Sequence, residues 1–168
     1  MIPLFLGLTA FNLLCLITTT CMGYTLAGHG DGHATSLHLM LGVMTTMACI
    51  GVHCVVFTYF IATAKWIQHA VSVKSLPQEL VEPTRSFKMQ AFPAALLAMG
   101  SVFLTAILGA AADNYAVSAK VHFGAAIAAI LVNAIVAQRE YAAIVKNGKL
   151  IDGLLERING PAAPSASV

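Results

Sequence analysis

Charge is what this chain has least of. Of its 168 residues, nine are Lys or Arg and seven are Asp or Glu, 10% in all, against roughly 25% in an ordinary soluble domain. A water-soluble fold of this size cannot clothe its surface with so few charges. A bilayer is therefore expected to do the covering, in keeping with a mean hydropathy of +0.82. The net charge of +2, carried by scattered rather than clustered cations, excludes a nucleic-acid partner. No C-x-x-C pair is present, which excludes thiol-oxidising chemistry of the usual kind. Also missing are an internal repeat, a phosphate-cradling glycine loop, a nucleophile elbow, and the basic leader and cleavage site of a secretory signal.

What is present is a set of four stretches without Asp, Glu, Lys or Arg: Met1 to Gly30, Gly32 to Ala64, Met89 to Ala112 and Val121 to Gln138. Each approaches or exceeds the ~20 apolar residues that cross a ~30 Å hydrocarbon core. Helices are the open-chain solution in lipid, because they satisfy every backbone group internally. The sequence predicts an all-α, four-transmembrane-helix antiparallel bundle, with spans near 3–27, 36–66, 89–112 and 116–140. Lys65, Lys74, Arg85 and Lys88 flank the second connection, and Arg139, Lys146, Lys149 and Arg157 follow the last span. By the positive-inside rule both places, and hence both termini, are expected in the cytoplasm, with the bacterial inner (plasma) membrane as the expected location.

Outside the spans little remains. Pro77 and Pro83 limit the inner connection to short helical or extended pieces. After a turn expected at Asn147 and Gly148, Leu150, Ile151, Leu154, Leu155 and Ile158 recur at helical spacing. They predict a separate amphipathic helix over 146–160, lying on the membrane surface or against a partner. Residues 161–168 are expected to be a disordered tail.

The chemistry-bearing residues are the histidines, because a polar ring within a span is costly and usually finds a partner inside the bundle. His38 and His53 fall in the second span and His122 in the fourth. Fifteen helical steps place His38 and His53 about 60° apart in azimuth and ~22 Å apart along the axis. Gly42, Thr45, Thr46 and Cys49 lie between them, and Gly124 follows His122. Small residues let a helix approach a neighbour or a flat macrocycle. In the predicted topology His38 and His122 share a depth and could ligate one haem iron, while Met99 of the third span falls level with His53 and could complete a second site. Asn12 and Asn133 read as interhelical hydrogen-bonding groups.

With its histidines on facing spans (His38 with Gly42, His53, and His122 with Gly124), the chain resembles the small four-helix b-type cytochromes that anchor respiratory dehydrogenases. The resemblance implies haem b as cofactor and an electron-transfer role rather than that of a stand-alone enzyme. It further implies a redox protein subunit as partner and exchange of electrons with quinone. Two histidines about fourteen residues apart on one helix serve two stacked haems in that class, whereas near the inner level the fourth span offers Gln138 in place of a histidine.

Two other readings stand beside it. One is a haem-free accessory subunit of a larger membrane complex. The other is a copper-handling protein, in which His29, Asp31 and His33, with His38, bind Cu(II) or Zn(II) at the outer loop and Met40, Met44 and Met47 with Cys49 and Cys54 favour Cu(I). The methionine spacing equally suits a lipid-facing stripe, and the four cysteines suit small apolar core positions. Tyr59, Lys65, Trp66 and His69 fit an interfacial belt, with a quinone head-group site near Lys65 and His69 as the functional alternative.

Overall fold

The computed structural model describes residues 1–26 and 32–160. Four helices account for nearly all of them: α1 (Ile2–Leu26), α2 (Gly32–Val73), α3 (Glu82–Asp113) and α4 (Ala119–Asn159), with one 3₁₀ turn at Gln78–Leu80 before α3. Each of the four is long and apolar enough to cross a membrane. Their ends follow local chemistry. Pro83 sits in the first turn of α3, where its missing N–H costs nothing. The Ser118 side chain caps α4 by accepting from the Lys120 N–H at 3.2 Å. Ser75 and Tyr115 take φ of 50° and 58° in the tight turns that end α2 and α3.

The helices are arranged as a square. α1 packs against α2 and α4, and α3 packs against the same two, so α2 and α4 lie on one diagonal. The outward faces carry large apolar side chains such as Leu14, Met44, Leu97, Phe103 and Leu131, all more than half exposed, as lipid contact requires. Met40 and Met47 are exposed on the same side of α2 as Met44, so the methionines form an outward stripe. Cys49 is buried while Cys54 is exposed, and these two thiols therefore do not join around His53.

The predicted spans are present, but α2 and α4 run well past them. At 42 and 41 residues, each is roughly 60 Å long at ~1.5 Å per residue, about twice the hydrocarbon thickness. The separate amphipathic helix expected over 146–160 is not separate. α4 continues through Asn147 and Gly148 to Asn159. Asn147 is buried and donates from Nδ2 to Thr63 Oγ1 at 3.0 Å, so its side chain does not compete for the backbone of its own helix. The apolar stripe at Leu150, Ile151, Leu154 and Ile158 packs on Ile67 and Val71 of α2 and on Leu76, Leu80 and Val81 of the connection. Burial of that stripe offsets the ~1 kcal/mol that Gly148 costs inside a helix. The tail expected over 161–168 lies outside the described residues.

Candidate functional site

Two groups of polar side chains lie inside the bundle at different depths. The first is built on the diagonal pair of helices. His38 projects from α2 and His122 from α4, and their ring centroids are 6.2 Å apart with the planes at 75°. The shared depth expected for these residues is thus what the packing produces. His122 Nδ1 lies 3.1 Å from the Thr105 carbonyl of α3. A carbonyl only accepts, so Nδ1 carries the hydrogen and the lone pair of the neutral ring is left on Nε2, an orientation common in metal-binding histidines. His38 Nδ1 is buried with no hydrogen-bond partner.

Each ring rests on a glycine of a neighbouring helix. A Cβ on Gly23 of α1 would lie 2.7 Å from His38 Cε1, and one on Gly109 of α3 would lie 2.9 Å from His122 Cε1. Both are closer than such atoms come, so a side chain at either position would displace the imidazole from its place. Gly42 and Gly124, expected to leave space beside the histidines, have nothing within 4 Å of where a Cβ would stand. The glycines that seat the rings are on other helices, because a histidine reaches away from its own helix and is accommodated by the helix it approaches. Gly42 does line the adjoining cleft, whereas Gly124 does not.

That cleft is small, about 70 Å³, and partly open to the surroundings, below the roughly 300–1,000 Å³ of preformed small-molecule sites. His38 and His122 form its walls with Gly42, Thr46, Ala106 and Ala126. Lower down, Thr19 and Thr45 share a hydroxyl hydrogen bond of 2.9 Å, and Leu16, Cys49, Val102 and Ala129 close the floor. Small side chains and hydroxyls predominate, and α1, α2, α3 and α4 all contribute.

The second group lies deeper. Asn12 Nδ2 donates to Asn133 Oδ1 at 3.2 Å, and the Cys49 thiol donates to the same oxygen at 3.4 Å. Asn133 Nδ2 donates in turn to the Ala129 carbonyl at 2.9 Å, so the expected gluing role of the two asparagines is what the geometry gives. Further on, His53 Nδ1 sits 2.8 Å from Glu140 Oε1, with side chains only 4% and 1% exposed. The partner that the structure gives His53 is Glu140 of α4, not Met99 of α3, which is half-buried.

Glu140 escaped the sequence reading because it follows Arg139, just beyond the charge-free run, where a carboxylate reads as solvated. Gln138, two residues earlier, points away and is exposed. A signal was available. Asn133, Glu140 and Asn147 recur at steps of seven, together with buried Val136, Ala143 and Leu154, which is the repeat of a helix seam facing its neighbours.

Of the remaining candidates, His29 and Asp31 lie outside the described residues, as does the side chain of His33 at the start of α2. Among the described residues no group of three or more His, Cys, Asp or Glu is placed to hold a metal ion. Trp66 is exposed, as an interfacial anchor would be. Comparison with known protein families, with curated proteins and with solved structures finds no match for this chain.

Proposed function

We propose that the chain is an integral membrane haem-b protein that passes electrons between a partner protein subunit and quinone. In this reading it is an antiparallel bundle in a bacterial inner membrane with both termini in the cytoplasm, where eight of the nine cations gather. The observation that carries the reading is the pair of imidazoles on the bundle diagonal. His38 and His122 would hold the iron between them, each through a ring nitrogen. Their ring centroids stand 6.2 Å apart. The unpartnered Nδ1 of His38 and the lone pair left on His122 Nε2 supply the donors.

When bound, haem supplies one-electron chemistry at its iron, and the protein sets the potential through axial ligands and burial. The residues of the chain do the rest. His38 and His122 bind. The Thr105 carbonyl fixes the orientation of His122, and Gly23 and Gly109 admit the rings to their places. The apolar floor of Leu16, Val102 and Ala129 keeps water from the bundle interior.

The test is an absorbance spectrum of the purified protein, oxidised and reduced. A sharp reduced α band is expected in the wild type, lost in His38→Ala and in His122→Ala and kept in His29→Ala and His33→Ala. A colourless wild type, or a full spectrum in the first two variants, overturns the assignment. The outcome then favours a haem-free accessory subunit, a reading supported by the edge-on contact that the two rings already make with each other.

A further inference from the structure

A buried carboxylate in a membrane-spanning bundle is expensive. Each ion taken out of water costs several kcal/mol, and a partner repays this only if geometry is excellent and the remaining polar atoms are satisfied. Glu140 has its partner in His53, and the 2.8 Å contact between them is good. The remaining atoms are not satisfied. His53 Nε2 is buried without a hydrogen-bond partner, and so are Thr9 Oγ1 and Asn12 Oδ1 of α1.

Thr9 and His53 share a level with Glu140, and Asn12, bonded to Asn133, lies at the next one. Phe5 of α1 packs with Val56 and Phe60 of α2 and with Ala143 and Ile144 of α4, and Leu16 packs with Cys49 and Ala129. Thr9 and Asn12 lie between Phe5 and Leu16, His53 lies between Cys49 and Val56, and Glu140 lies between Ala129 and Ala143. Native interiors leave few such groups unpaired, and an unpaired one costs about 1–3 kcal/mol. An unpaired ring nitrogen on the partner of the buried acid, with an unpaired hydroxyl at the same level, points to a group whose hydrogen-bonding need changes rather than to architecture alone.

We propose that the His53–Glu140 pair is a proton-binding centre within the bilayer, taking up and releasing one proton at His53 Nε2. The balance is simple. With one proton, Nδ1–H donates to the Glu140 carboxylate, Nε2 carries a lone pair, and the pair has a charge of −1. Addition of H⁺ at Nε2 gives imidazolium and carboxylate with no net charge, and Nε2–H then needs an acceptor. α1 supplies both kinds of partner at this depth, because the Thr9 hydroxyl can donate to the bare nitrogen or accept from the protonated one.

From α2 the one other titratable group facing His53 is the Cys49 thiol, one turn away, which neighbours the imidazole as well as donating to Asn133 Oδ1. From α3 come the buried alanines 94, 95 and 98, and from α1 the Thr9 hydroxyl. On the side of the basic end, the next buried polar group is Asn147 with Thr63, seven residues along α4 from Glu140 and so about 10 Å away.

The test uses the full chain in lipid bilayers with ¹⁵N-labelled histidine. The solid-state magnetic resonance signal of His53 Nε2, assigned in the wild type by backbone connectivity, is followed against pH. Conversion between the bare and the protonated nitrogen is expected, lost in Glu140→Gln and retained in Glu140→Asp. A signal fixed in one state wherever the wild-type protein stays folded overturns the proposal without reliance on any variant. An unchanged conversion in a folded Glu140→Gln protein overturns it too, because the proton would not belong to the pair. The measurement involves no haem, so it stands or falls apart from the spectral test of the outer cleft.

Discussion

The two imidazole sites of this bundle contain the same residue type on the same helix, yet their surroundings are opposite in kind. Around His38 the neighbours are glycine, alanine, threonine and a second histidine, with an open cleft beside them. Around His53 the space is filled. Phe5, Val56, Phe60 and Ile144 seal the level beyond it, and the partner is a carboxylate. One is a half-buried ring edge-on to a second ring beside a small cleft, the other a fully buried ring held against an acid. What separates the sites is the helix opposite, not the histidine.

Substitutions can sharpen this contrast. The largest stability effect is expected at the deep site: Glu140→Ala should cost about 3–5 kcal/mol, because it strands one member of a buried pair. The double variant His53→Leu, Glu140→Leu should recover most of that loss, since an apolar pair of similar volume needs no partner. Unfolding of both in mixed micelles measures the difference. A single variant as stable as the wild type would show that the pair is not sealed from water.

A smaller effect is expected at the glycines. Gly109→Val should destabilise by about 1–3 kcal/mol, as overpacking does, and should push His122 off the Thr105 carbonyl. Gly124→Val, with open space around it, should be close to neutral. If the two behaved alike, Gly109 would not be the seat of the His122 ring. The smallest effect belongs to Thr45→Val below the cleft. Interhelical hydrogen bonds in membranes average about 0.6 kcal/mol, so loss of the 2.9 Å bond to Thr19 should be barely measurable in stability. A loss of several kcal/mol there would mean that the cleft is as tightly built as the deep site.

Particular residues show how far the sequence could be read. His38 and His122 were legible as a pair, because depth follows from counting residues inward from each end of a span. Asn12 and Asn133 were legible as glue because an amide within lipid has few other uses. Glu140 was not, since a carboxylate at the edge of an apolar run looks the same whether a neighbouring helix covers it or water does. The C-terminal end of α4 departs from its sequence expectation for a related reason. Asn and Gly at 147–148 favour a turn by their own preferences, and only the partner Thr63 and the apolar face of α2 override them.

The sequence by itself determined that there are four helices, roughly where each enters the apolar phase, and which end collects the cations. Those properties depend on hydropathy and charge read along one dimension. The tertiary structure alone decided that α2 and α4 face each other diagonally, that Gly23 and Gly109 seat the two imidazoles, and that His53 meets Glu140. Each depends on the azimuth and separation of two helices at a given depth. In lipid, where apolar surfaces gain little by meeting, close packing and the few polar groups that find one another fix that geometry.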